Sequence, residues 1–146
     1  VIRDYLAAGA AIVARLQATV PDLASVRQAA GRQAVDESVL AVPAALVIYD
    51  GDRLGDEAGH GRAHIVHQQW LVVLAVRHAA QGDGGAAAQA VAGPLLTALL
   101  SALQGWPPSD RHRGLIRVAA PRPGYSPGFV YYPLTFECAL STLGNP

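Results

Sequence analysis

The sequence holds a single cysteine, Cys138, carries no net charge, and has no strongly apolar run that approaches the length of a membrane helix. One cysteine excludes an internal disulfide framework and is in keeping with a reducing compartment, for which the cytoplasm is the default. Eleven acidic residues balance eleven basic ones, so the basic excess with which a dedicated nucleic-acid binder releases counterions from phosphate is missing. The strongest apolar run, Trp70–Val76, is far too short for a bilayer, and the N-terminus lacks the basic start and small-residue cleavage site of a signal peptide. Neither a membrane role nor export is expected. No internal repeat or linker divides the 146 residues, so one domain over 1–146 is expected. A chain of that length buries roughly 68–70% of its unfolded surface without help from metals or disulfides. With 51% hydrophobic and 15% charged residues, some apolar surface is left over for a partner subunit.

What is present is patterned. From Ile2 to Val20, the residues Ile2, Leu6, Gly9, Val13, Leu16 and Val20 recur at steps of four and three, with Tyr5 and Ile12 at the flank, which predicts a one-sided helix stopped by Pro21. Ala24–Ala30 and Pro43–Tyr49 read as strands, the second ended by the turn residues Asp50-Gly51-Asp52 and followed by a loop with Gly55, Gly59 and Gly61. His64–His78 reads as a long strand whose centre, WLVVLAV, is apolar on both faces and therefore needs a cover on each. After a turn at Gln81–Gly85, a second helix is predicted over Ala86–Leu103, with Val91, Leu95, Ala98, Leu99, Ala102 and Leu103 inward. Pro94 should kink that helix or mark its true start, and Gly105 stands where a left-handed residue would end it. Strands at Gly114–Ala120 and Gly128–Leu140 complete the chain. In the last, Val130, Tyr132, Leu134, Phe136, Cys138 and Leu140 face one way and Phe129, Tyr131, Pro133, Thr135 and Glu137 the other, with Pro133 requiring an edge or a bulge. The order α-β-β-β-α-β-β predicts an α+β fold: a mainly antiparallel, mixed sheet with two helices on one face.

Candidate chemistry is sparse. His60, His64 and His67 would share a face on a helix and could bind zinc in a small metal-dependent enzyme or ligand-binding domain. Gly59 and Gly61 oppose a helix, however, and in a strand His64 and His67 point to opposite faces while His60 lies about 13 Å from His64. Loop and strand-edge histidines are the favoured reading, and no metal or other cofactor is expected. The acidic set Asp50, Asp52, Asp56 and Glu57 fits a solvated turn better than a calcium loop. Gly82-Asp83-Gly84-Gly85 precedes a helix without the Lys-Ser/Thr of a phosphate loop. Cys138, on the core face of its strand, reads as a small buried hydrophobe, and Ser38 lacks the setting of an esterase nucleophile. No catalytic set assembles. The basic stretch Arg111-His112-Arg113 is either a solvated loop or the counterpart of the acidic 50–57 segment on a neighbouring subunit, which makes Asp50, Asp52, Asp56, Arg111 and Arg113 the candidate interface.

The helix IVARLQATVPDLASVRQA, the strands PAALVIYDG, QQWLVVLAVR and GFVYYPLTFECAL, and above all the helix end LLSALQGWPP together resemble the tail terminator (tail completion) proteins of tailed bacteriophages and prophages, including the Mu-like group. The most specific mark is Leu103, Gly105, Trp106 and Pro108. The resemblance implies a non-enzymatic, cofactor-free structural protein that forms a homo-oligomeric ring, typically a hexamer, on the head-proximal end of the tail tube. Its implied partners are itself, the tail tube protein and a head-completion or neck protein. Assembly in the bacterial host cytoplasm and a final place in the virion tail are implied as well; another neck or minor tail component is the neighbouring alternative. Trp106 is expected to close the core beneath the helix end, an anchor for a partner being the other option.

Overall fold

The computed structural model describes residues 2–78 and 84–146; residues 81–83 of the predicted turn lie outside them. The elements are α1 (Ala7–Thr19), β1 (Ser25–Gln28), β2 (Ala44–Ala58), β3 (Ala63–Arg77), α2 (Ala86–Leu103), β4 (Ile116–Val118), β5 (Gly124–Tyr125) and β6 (Phe129–Leu143). A short 3-10 turn at Arg32–Ala34 lies between β1 and β2. The expected α+β class and order hold, with the two-residue β5 added inside the proline-glycine loop.

One mixed sheet runs in the order β1-β2-β3-β6-β4, with β5 also on β6. β1 is parallel to β2 and every other pairing is antiparallel. β2, β3 and β6 have fifteen residues each. At about 3.3 Å per residue each is about 50 Å long.

Strand length is where the chain departs most from its pattern. The residues Asp50-Gly51-Asp52 do not turn the chain: β2 runs through them to Ala58, and the register shifts between Tyr49 and Asp52 and again between Leu54 and Glu57. Gly51 takes φ +93°, the left-handed conformation that a bulge requires and that glycine adopts without strain. The actual turn is Gly59–Arg62, so the glycine-rich 50–61 loop is a strand with its tip. The Gly114–Ala120 strand shrinks to β4. β6 is interior rather than an edge, and Pro133 pairs in register with Val73 without a bulge. Proline is accommodated because β4 ends opposite Thr135 and β5 opposite Tyr131, which leaves position 133 without a strand on its outer side.

Both helices cover one face, as the alternating pattern requires. Val47, Trp70, Val72, Leu74, Val130, Leu134 and Phe136 of the sheet meet Ile12 and Leu16 of α1 and Leu95, Leu99 and Leu103 of α2 in the main core. The inward stripe of α1 is Ala8, Gly9, Ile12 and Leu16, with Leu6 48% exposed, so the helix is rotated and shorter than its periodicity predicted. Fit to Trp70 sets that rotation: a Cβ on Gly9 would come within 2.9 Å of the indole and 2.6 Å of Gln28 Oε1. α2 runs through Pro94 without a break and buries Ala88, Ala92, Leu95, Leu99, Ala102 and Leu103, leaving Val91 49% exposed. It contains no charged residue, and by length and composition it is apolar enough to cross a membrane; in this fold its inner side lies on the sheet.

The second face is covered by residues 29–43. Leu40, with Val35 and Val42, packs on Leu46, Ile48, Val73, Ala75, Phe129 and Tyr131. Glu37 fastens this segment by accepting hydrogen bonds from Ser126 Oγ (2.8 Å) and Tyr131 Oη. Burial and then Glu37 push the Tyr131 phenol up to about 12. The cover ends near Ile48 and Val73, and beyond it the distal sheet is open on this side.

Candidate interaction surface

Three strands build the open distal face. Antiparallel register places Arg53 opposite His67, and His67 opposite Ala139, next to Glu137 on β6. Glu137, 16% exposed at its side chain, accepts from Arg53 Nη2 at 2.9 Å and from Gln69 Nε2 at 3.4 Å, and His67 Nδ1 lies 3.2 Å from its carboxylate. One carboxylate thus gathers the donors of two neighbouring strands. These groups floor a cleft of about 400 Å³ whose walls are Asp56 from β2 and Arg113 with Ile116 from the α2–β4 side. A second groove of about 380 Å³ lies on the same face beside the cover, with Ile48, Leu71, Val73 and Pro133 below and Asp50, Arg32 and Arg122 around it.

The sequence-predicted residues divide between the two sides of the sheet. Asp50, Asp52 and Asp56 all lie on β2, whereas Arg111 and Arg113 lie in the α2–β4 connection, beyond β3 and β6. The side chains of Asp50 and Asp56 are exposed and make no hydrogen bond or ion pair among the described residues. Asp52 is occupied: Tyr5 Oη donates to it, as does Tyr49 Oη at 3.3 Å, which ties the start of α1 to β2. Burial, and then this carboxylate, push the Tyr5 phenol up to about 12. Arg111 stands 3.9 Å from Asp110 with its side chain 59% exposed. The Arg113 side chain is free among the described residues, while its backbone N–H donates to Ala139 O at 2.9 Å and fixes the loop to β6.

The three histidines do not converge. His60 occupies the hairpin tip at φ +56°, His64 pairs with Glu57, and His67 is held by Glu137 on the opposite face. Among the described residues no group of three or more His, Cys, Asp or Glu is placed to hold a metal. Cys138 is fully buried, donates weakly to Arg113 O at 3.4 Å, and burial pushes its thiol up to about 12, which keeps it neutral.

The helix end is built as its residues predict, with one change of emphasis. Gly105 takes φ +77°, its N–H donates to Leu115 O at 2.8 Å, and the Trp106 N–H donates to Leu103 O at 3.1 Å. Leu103 is fully buried. Trp106 is only half-buried: its inner side meets the main core and the Arg15 guanidinium lies 5.3 Å above its ring. Arg15 Nε also donates to Ala102 O at 3.1 Å, so one arginine joins α1 to the last turn of α2. The fully buried plug is the other tryptophan, Trp70, whose Nε1 donates to buried Gln68. Pro108, half-buried, follows Trp106 into the polar loop.

Sequence reasoning missed Arg53, His67 and Glu137 as a unit. What joins them is the pairing register of β2, β3 and β6, which places Arg53, His67 and Glu137 on one face.

The family model described as phage tail terminator protein matches residues 2–143, nearly the whole chain. The α+β subunit with its two-sided open face is therefore a structural phage tail protein. It belongs to the phage tail terminator family. No curated protein matches the chain.

Proposed function

We propose that this protein forms a homo-oligomeric ring, six-fold as is typical of such proteins, at the head-proximal end of the tail tube, where it ends polymerisation and offers the surface that joins the head. The observation that carries the reading is the placement of exposed carboxylates and guanidinium groups on opposite sides of one sheet: Asp50 and Asp56 on β2, and Arg111, paired only with exposed Asp110, and Arg113 beyond β6. A head-to-tail contact between identical chains needs two different, complementary patches, and repeating it closes a ring when the rotation allows. Zero net charge removes the long-range repulsion such a ring would otherwise meet. Exposed charge pairs are each worth only about 0–1 kcal/mol, so here they set orientation and register, and apolar neighbours such as Ile116 supply affinity. Asp52 contributes by holding Tyr5 and the start of α1 behind the acidic side. Tail tube protein and a head-completion protein are the partners in this reading, assembly takes place in the host cytoplasm, and neither a cofactor nor covalent chemistry is required.

The test is to add the protein to polymerising tube protein and measure tube lengths by electron microscopy. Tubes that stop growing and carry density at one end support the reading. Binding along the tube wall would assign the chain to another minor tail role, and tubes of unchanged length would overturn the proposal.

A further inference from the structure

The second face of the sheet has two unlike ends. Near the start of β2 it is raised by the 29–43 cover, on which Asp36 and Val39 are exposed, Val39 at 72%, with exposed Arg27 beside it on β1. At the distal end it is recessed into the cleft bounded by Asp56, Arg113 and Ile116, the last 64% exposed. The raised end thus offers a base, an acid and an apolar residue, and the recessed end offers an acid, a base and an apolar residue.

Their lateral order matches as well. Arg27 sits on β1, next to β2 and on the same side of the sheet as Asp56. Asp36 lies within electrostatic reach of Arg27 and adjoins Glu37, which is fastened to Ser126 and Tyr131, so it stands between Arg27 and the β6 side, the side of Arg113. A two-fold axis lying in the face and crossing the strands exchanges the two ends while keeping the two sides. It brings Arg27 of one copy to Asp56 of the other, Asp36 to Arg113, and Val39 to Ile116, each contact occurring twice.

We propose that two copies of this chain pair reciprocally through this face, the crown of each 29–43 segment seated in the distal cleft of the other. The Asp36 carboxylate is suited to the contact, because the Ser38 hydroxyl and backbone N–H both donate to it and hold it below the usual carboxylate range. The pair is a different assembly from the ring and does not depend on it. Asp56 and Arg113 belong to both contacts, so a pair must open before its members can join a ring.

Native mass spectrometry and sedimentation velocity on the isolated protein at low salt test the pair. The wild type is expected at twice the 15.2 kDa chain mass. Val39→Asp, Ile116→Asp and Asp36→Arg should each weaken pairing by at least about tenfold. Asp36→Arg combined with Arg113→Asp should restore it, and unchanged circular dichroism would show that the fold survives. A monomeric wild type, pairing indifferent to Val39→Asp, or a double variant no better than the single ones would overturn the proposal. Val39→Asp should lose pairing and still cap tail tubes, whereas a wild type that pairs but never caps tells against the ring and leaves the pair standing.

Discussion

The same three strands pass through two unlike regions. Around residues 44–47, 73–76 and 129–131 the sheet is closed on both faces, by the two helices on one side and the 29–43 segment on the other, and carries no charge. Around residues 53–67 and 136–143 the second face is open, and its floor is a cluster of Arg53, His67 and Glu137. The strands are continuous through both; the closed part is regularly paired, the open part carries both register shifts of β2, and side-chain chemistry and cover change with them. The closed region fixes the fold, and the open region is free to vary its partners, because charges held there by one another need no burial to be satisfied.

Substitutions should separate the two regions by magnitude. Leu74→Ala, at a fully buried position among the helices, should cost about 2–5 kcal/mol in urea unfolding. Trp106→Ala, which removes a half-buried ring and the surface under Arg15, should cost about 2 kcal/mol; a loss as large as that of Leu74→Ala would move Trp106 into the closed region. His112 gives a pH-dependent contrast. Its ring is buried with Nδ1 against Ser109 Oγ at 2.6 Å and Nε2 unpartnered, and burial lowers its basicity. The unfolded chain therefore binds that proton more readily. The contribution of His112 is complete above about pH 6.5 and is lost as pH falls below it. Melting curves should show that slope in the wild type and a shallower one in His112→Gln. The smallest effect is expected in the open region: Glu137→Gln should change stability by less than about 1 kcal/mol, while freeing Arg53 and His67 to alter the charge of the cleft.

Much of the closed region was legible in the sequence because its constraints are local. Alternation along β6 assigned both of its faces correctly, and the limits of α2 followed from helix formers and Gly105. What was not legible depends on distant residues or on ambiguous signals. Asp50-Gly51-Asp52 reads as a hairpin turn, but positive φ at a glycine serves a bulge equally well, and only pairing with Gln68 and Trp70 decides between them. The 29–43 cover has no periodicity to announce it, although the two-sided apolar pattern of β3 required one. The rotation of α1 is set by Gly9 meeting Trp70 across the core, which no periodicity of α1 alone contains. The Glu137 cluster joins residues up to 84 positions apart, so it becomes visible only when the register is known.

The contact between the acidic and basic sides of neighbouring copies is tested most directly by complementary charge reversal, read as the fraction of tail tubes capped at one end in electron micrographs. Asp50→Arg/Asp56→Arg and Arg111→Glu/Arg113→Glu should each fail alone, since each gives a ring of like charges. Mixed in equal amounts they alternate favourable contacts, and capping should return. Wild-type capping by either variant alone, or failure of the mixture with both proteins folded, would contradict a ring built on these residues.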